Sequence, residues 1–263
     1  MSTEPNFPSY AGMLPQAFTV THIREDNYRT KTFTFNRALP CKPGQFAMVW
    51  LPGDTEKPFS ISNDEPLQLT IVAVGPFSEG IHRLKVGDRM WVRGPLGQGY
   101  RPFGKRILLA GGGYGVAPLL FLARKAIAAG TIVDACTGAR TARDVLLAEE
   151  FARAGASVYV TTDDGSLGDQ GLVTLPIERL FNNPATRPDG GVYACGPVKM
   201  LEAIDCLCAA HSVPRQLSWE AVMRCGIGVC GSCEIALPVA QGDPDKAAWL
   251  VCLDGPISFS EQQ

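Results

Sequence analysis

Four cysteines near the end of this 263-residue chain, Cys225, Cys230, Cys233 and Cys252, stand in the spacing C-x4-C-x2-C-x18-C. Three thiols within nine residues demand a tight loop, and Gly226, Gly228, Gly231 and Ser232 supply the small residues for it. Such a loop can wrap thiolates around one side of a cluster while its backbone N–H groups approach the sulfides. The spacing matches the plant-type [2Fe–2S] pattern. A structural zinc site and four buried thiols stay open as other uses, although zinc ligands usually come as paired, short-spaced knuckles. The segment 216–263 is near the lower limit for an independent core, so a metal staple there has a structural purpose as well. Cys41, Cys136, Cys195, Cys206 and Cys208 have no ligand spacing among themselves and are expected in the core or near a site.

The rest of the chain divides by periodicity. Through Phe103 it reads as short β-branched and aromatic stretches, such as Lys31-Thr32-Phe33-Thr34-Phe35 and Leu67 to Val72, punctuated by Pro43-Gly44, Pro52-Gly53 and Gly94-Pro95. Period-two alternation broken by turns predicts a small antiparallel barrel over residues 1–103. From Arg106 the pattern changes to strands alternating with longer apolar helices, which predicts βαβ units and a parallel sheet over 104–215. Helices are expected from about Pro118 to Ala129, from Ala142 to Ala154, and after Pro197. The predicted fold class is therefore mixed β and α/β: barrel, parallel-sheet domain, then a small cysteine module over 216–263.

Composition excludes several function classes. With 24 basic and 26 acidic residues the net charge is -2, and no run of like charge suggests nucleic-acid binding. The apolar stretch Ile107 to Ala123 contains Gly111, Gly112, Gly113, Gly115 and Pro118, which suit a strand, turn and helix better than a membrane span. Met1 to Asn6 lacks the basic and apolar character of a signal peptide, and the odd count of nine cysteines points to thiols or metal ligands in a reducing cytoplasm.

Three turns sit where ligands of open parallel sheets bind, beyond the carboxyl ends of strands. Gly111-Gly112-Gly113-Tyr114-Gly115 follows a strand and opens a helix, a context that sets helix N–H groups against a pyrophosphate. Thr162-Asp163-Asp164-Gly165 ends another strand; its carboxylates can accept from ribose hydroxyls and repel a 2′-phosphate, favouring NAD over NADP. Cys195-Gly196-Pro197 ends a third. Tight turns without a ligand are the plain alternative for each.

These pieces in this order resemble the ferredoxin-reductase superfamily, most closely the electron-transfer subunit family of dihydroorotate dehydrogenase B. The resemblance rests on Lys57-Pro58-Phe59-Ser60, Val86-Gly87-Asp88, Arg93-Gly94-Pro95-Leu96-Gly97, the three turns above, and Cys225 through Asp254-Gly255-Pro256, and it covers nearly the whole chain. It implies an FAD site at Lys57, Pro58, Phe59 and Ser60, continued by Val72, Ala73 and Val74 and by a turn at Gly80 and Ile81 near the diphosphate. Lys57 stands where the family pattern has arginine, keeping the charge and losing the fork, and Ile81 stands where a hydroxyl residue is usual. The implied NAD(H) site comprises Gly111, Gly112, Gly113, Gly115, Thr162, Asp163, Asp164, Cys195, Gly196 and Pro197. The cluster ligands are Cys225, Cys230, Cys233 and Cys252.

The resemblance further implies a partner, an FMN-containing dihydroorotate dehydrogenase subunit assembled two plus two into a heterotetramer of pyrimidine (UMP) biosynthesis. That partner would carry the dihydroorotate chemistry, so no catalytic acid, base or nucleophile is expected on this chain. A reductase subunit of a hydrogenase or a ferredoxin-dependent transhydrogenase shares the same parts, and a non-enzymatic metal-binding module is the reading from another class. An exposed apolar patch around the cluster loop is expected for docking.

Overall fold

The computed structural model describes residues 14–236 and 249–260; Met1 to Asn6 lies outside the described residues. In the first segment, β1 (Gln16–Asn27), β2 (Thr30–Phe35), β3 (Phe46–Trp50), β4 (Glu56–Asp64), β5 (Leu67–Val72) and β6 (Arg89–Leu96) close into an antiparallel barrel in the order β1-β2-β5-β4-β3-β6. Alternation does what period two requires: Phe33 and Phe35 of β2 and Leu67, Leu69 and Ile71 of β5 fill the interior. Strand β3 departs from alternation because both of its faces are covered. Ala47 and Val49 face the barrel core, while Phe46 and Met48 join a second core with Leu217, Trp219, Cys233, Trp249 and Cys252.

A short helix, α1 (Pro76–His82), connects β5 to β6. The expected turn at Gly80-Ile81 is thus the last turn of a helix, and the Ile81 side chain is fully buried in the barrel core. The apolar spacing of Phe77 and Ile81, four apart, is what the helix uses to dock.

The second segment contains β7 (Arg106–Gly112), α2 (Val116–Ala128), β8 (Ile132–Ala139), α3 (Ala148–Ala154), β9 (Ser157–Thr162), β10 (Asp169–Gln170), α4 (Thr174–Asn182), β11 (Val192–Cys195), α5 (Val198–Ala210) and β12 (Arg215–Ser218). The third adds β13 (Glu234–Ile235), β14 (Trp249–Leu250) and β15 (Ile257–Phe259). A seven-stranded sheet runs β10-β9-β8-β7-β11-β12-β15, parallel except for β15. Residues of α2 and α3 pack on one face, residues of α4 and α5 on the other. The boundary expected between 215 and 216 falls inside β12, and β15 returns to pair with it, so the cysteine segment is stitched into the sheet at both ends.

Two helices differ from expectation. Helix α2 starts two residues before Pro118, which a first turn tolerates because its N–H is not needed there. Most of its residues are buried, since it lies between the sheet and the barrel, where Phe121 enters the barrel core. That double burial, and not a bilayer, accounts for the apolar run 107–123. The helix expected over Ala142–Ala154 is broken: Ala142–Asp144 forms a 3-10 turn, Leu147 adopts φ 58, and only Ala148–Ala154 is α-helical. Asp144 causes the break, because its carboxylate accepts from Tyr28 and Thr141 and pairs with Arg29, drawing the turn toward the β1–β2 hairpin. No helix among the described residues is long and apolar enough to cross a membrane.

Candidate functional site

The chain runs outward from β7 through β8 and β9, then crosses back to β11 on the other side of β7, which makes the β7/β11 junction the switch point of the sheet. Registry aligns Gly111 with Cys195 and Cys195 with Ser218, so three strand ends lie side by side there. Glycine is required by this closeness. A Cβ at Gly115 would stand 2.3 Å from the Cys195 carbonyl oxygen, and one at Gly112 would stand 2.6 Å from Met200 Sδ. A 3-10 turn at Gly113–Gly115 runs straight into α2 without a side-chain cap, and the Val116 N–H is taken by the Gly113 and Tyr114 carbonyls, so the leading N–H groups of the helical run are those of the glycine turn.

Asp163 and Asp164 form the turn after β9, two strands from β7 and therefore about 10 Å along the same edge. The two carboxylates are not equivalent. Asp164 Oδ1 accepts from the Ser166 N–H and hydroxyl, and these bonds hold its carboxyl below the usual range. Asp163 is exposed, and among the described residues its carboxylate has no hydrogen-bond partner. Thr162 is buried, and its hydroxyl donates to the Leu167 carbonyl, so its side chain shapes the turn.

Between barrel and sheet lies a cavity of about 280 Å³. Pro58, Phe59, Ser60, Val72 and Val74 line it from the barrel, Gly115 and Cys195 from the sheet. The Phe59 ring stacks on Phe77 at 6.1 Å, which fixes its orientation. Cys195 is buried and its thiol is pushed up to about 12 by that burial, so it is a neutral packing group at physiological pH. Lys57, Ala73, Gly80 and Ile81 do not line the cavity. Lys57 is exposed and without a partner among the described residues, whereas Ile81 can offer only backbone.

The cavity also recruits residues that motif reasoning passed over: Tyr114, Ser218, Trp219, Glu220 and Met223. Tyr114 Oη donates to Glu220 Oε2 at 3.0 Å across the mouth. Glu220 is open to solvent on one side yet crowded by protein on the other, and that desolvation raises its carboxyl above the usual range. Its signal in the sequence is a single carboxylate in the apolar stretch from Leu217 to Met223, at the end of a strand sharing the ligand-facing edge.

Beyond Met223 the chain enters the cysteine loop. Of its thiols, Cys233 and Cys252 are buried in one core cluster, whereas Cys225 is half-buried and Cys230 exposed. Among the described residues no three His, Cys, Asp or Glu side chains gather as a group able to hold one metal ion. Four thiolates are the donor set of a binuclear iron–sulfur cluster. Backbone N–H groups also aim at sulfur, Gly228 at Cys252 Sγ (3.1 Å) and Ile227 at Cys225 Sγ (3.5 Å). The all-sulfur, N–H-solvated loop therefore fits a [2Fe–2S] cluster. Cys230 is exposed, and Ser232 holds its thiol down at about 6; Cys252 is buried and pushed up to about 12, chiefly by burial.

An antiparallel barrel, a dinucleotide-type sheet, a ring-sized cavity between them and a four-thiol loop behind it define an NAD-linked oxidoreductase of the ferredoxin-reductase type. The comparisons agree. Residues 109–205 match the family model of an oxidoreductase NAD-binding domain, and residues 220–262 match that of the iron-sulfur cluster binding domain of dihydroorotate dehydrogenase B. A protein of Methanothermobacter thermautotrophicus named "probable dihydroorotate dehydrogenase B (NAD(+)), electron transfer subunit" is 36% identical, covering 95% of this chain and 90% of its own. Its namesake in Thermococcus kodakarensis is 38% identical over 93% of this chain and 96% of its own. The chain belongs to the family of dihydroorotate dehydrogenase B (NAD(+)) electron transfer subunits. Among solved structures, an NADH-dependent reduced ferredoxin-NADP oxidoreductase studied for flavin-based electron bifurcation superposes with a TM-score of 0.79 at 25% identity, covering 93% of this chain and 88% of the other. The cytochrome b5 reductase domain of Ulva prolifera nitrate reductase shares the fold, with a TM-score of 0.63 at 22% identity over 76% of this chain and 94% of the other.

Proposed function

We propose that this chain carries electrons between NAD(H) and a separate catalytic subunit by way of FAD and a [2Fe–2S] cluster, as the electron-transfer subunit of dihydroorotate oxidation in pyrimidine biosynthesis. The observation that carries this reading is continuity: Met223 lines the cavity and Cys225, two residues on, is the first thiol of the loop. When bound, FAD supplies the conversion between a two-electron hydride and single electrons. Phe59 and the Pro58 and Ser60 backbone would flank its ring, Lys57 would meet a phosphate as a point charge, and the α2 N-terminus with Gly111 to Gly115 would hold the dinucleotide diphosphate. Cys225, Cys230, Cys233 and Cys252 would hold the cluster. Asp163, with its free carboxylate, would accept from the ribose hydroxyls, while Asp164 shapes the turn.

The face around Cys230 is the one we assign to the FMN-containing catalytic partner, in a cytoplasmic two-plus-two assembly. Val229 (79% exposed), next to Cys230 in sequence, and Leu253 (55%), packed over Gly228, present apolar surface there, beside the most exposed of the four thiols.

Anaerobic purification of the chain with its neighbours, followed by iron, sulfide and flavin analysis, tests the reading. One FAD and two irons with two sulfides per chain, bleached by NADH, are expected, with an orotate-reducing flavoprotein in the same fraction. Zinc without flavin would overturn the electron-transfer role; a hydrogenase or transhydrogenase subunit in its place would reassign the partner. The coenzyme assignment has its own check. Replacing Asp163 with serine is expected to lower the preference for NADH over NADPH, as a ratio of kcat/KM values, by about tenfold, equivalent to ~1.4 kcal/mol. An unchanged ratio would remove Asp163 from the nucleotide site.

A further inference from the structure

Arg93 of β6 is only 7% exposed. Its guanidinium meets Glu56 as a fork, with Nε at 3.0 Å from Oε1 and Nη2 at 2.6 Å from Oε2. The same Nη2 donates to the backbone carbonyl oxygen of Cys225 at 2.8 Å. Glu56 is the first residue of β4, the strand that carries Pro58, Phe59 and Ser60 to the cavity. One ion pair, with its guanidinium buried and its carboxylate half-buried, therefore connects the flavin-side strand to the first cysteine of the loop.

The next residue reinforces the contact. Gly226 has φ +69, and a Cβ there would stand 3.0 Å from Met48 Cγ and 3.2 Å from Leu96 Cδ1. The loop is thus pressed onto β3 and β6 at the point where Arg93 grips it. On this outer face of the barrel the cross-strand partner of Arg93 is the apolar Met48 of β3, so the guanidinium sits against a largely apolar surface. Burying a guanidinium and a carboxylate costs desolvation energy that a pair of apolar residues would avoid.

We propose that Arg93 is a positioning residue for electron transfer: clamped by Glu56, it fixes the Cys225 end of the cluster loop against the flavin strand, and its charge biases the cluster's one-electron equilibrium. This rests on Cys225 being a cluster ligand, as proposed above. A reduced cluster carries one more negative charge than an oxidised one. The Arg93 guanidinium favours the reduced state, and Glu56 offsets that effect.

The two members of the pair therefore make opposite predictions. In redox titrations of the full chain, purified anaerobically with flavin and cluster and followed by electron paramagnetic resonance, Glu56→Gln is expected to raise the reduced-to-oxidised ratio at fixed potential by about threefold. At 59 mV per tenfold for a one-electron couple this is a shift of about +28 mV. Arg93→Gln is expected to shift the potential by a similar amount in the other direction, and Arg93→Lys, which keeps the charge, to stay within about twofold of the parent. A purely structural role would move both neutral variants the same way or neither, and that result overturns the proposal. Should Arg93→Gln lose its cluster, the Glu56→Gln titration decides alone: an unshifted potential rejects the charge effect. A parent chain with no cluster signal would overturn the electron-transfer reading itself, whereas a normal parent signal with unshifted variants removes only this inference.

Discussion

Replacing Cys252 with serine is expected to abolish electron delivery from this chain to a one-electron acceptor while leaving NADH able to reduce the bound flavin. The fall should be about a hundredfold or more, because the cluster follows the flavin in the relay and loses a ligand while the cavity is left intact. Cys252 is the proposed ligand that sequence proximity does not supply: it comes from beyond β14 and reaches the loop because β14 pairs with β13 and β15 returns to the sheet. Its side chain is buried in the same core cluster as Cys233, and its sulfur accepts from the Gly228 N–H. As a free thiol it is protonated at neutral pH, so ligation must displace a proton that burial favours. Serine cannot provide the soft donor the second iron needs. Iron and sulfide content, the visible spectrum, and the rates of flavin and acceptor reduction separate the two halves of the prediction. Cys41→Ser, on the barrel and outside the loop, is the control. A Cys252→Ser chain that retains two irons and normal delivery would show that the fourth ligand has been misassigned.

Replacing Gly115 with alanine is expected to lower NADH affinity more than tenfold and to destabilise the fold by about 1–3 kcal/mol. The cause is space and not backbone conformation. Gly115 has φ -60 and ψ -13, ordinary values for any residue, but the new methyl would lie 2.3 Å from the Cys195 carbonyl oxygen and 2.5 Å from its carbon. Both of those atoms are backbone, so the clash must be relieved by parting the glycine loop from the end of β11, the junction that forms the switch-point crevice. Gly113 provides the contrast. Its φ is +54 and a Cβ there meets nothing within 4 Å, so Gly113→Ala should cost about 1–2 kcal/mol of local strain without opening the crevice. Thermal melts and NADH titrations of the two variants distinguish the mechanisms. Equal NADH affinity in Gly115→Ala and the parent would show that the loop is not held against β11 in solution.

Local pattern went a long way in this chain. Alternation in Thr30–Phe35 and Leu67–Val72 announces barrel strands because each faces one core, and the strand-glycine-helix order around Gly111 announces a dinucleotide-type unit. The reading faltered where a distant contact overrode local preference. Asp144 breaks the helix expected over Ala142–Ala154 because Tyr28 and Arg29, more than a hundred residues away, capture its carboxylate. Gly80 and Ile81 read as a turn, yet Phe77 and Ile81 find a barrel core to bury in and the segment becomes helical.

The donor set of the chain was legible in the sequence alone: the thiol spacing C-x4-C-x2-C-x18-C matches a plant-type [2Fe–2S] loop, with small residues that let backbone N–H groups approach the sulfurs. Where that loop sits was decided only by tertiary structure. Nothing local places Cys225 beside Arg93 or Glu220 beside Tyr114, since those pairs are separated by more than a hundred residues and meet only when the sheet, the barrel and the cysteine segment share a core. Ligand identity is a property of side chains and their spacing, whereas an electron path depends on distances between ligands, and only the packing of Phe46 and Met48 against Cys233 and Cys252 sets those.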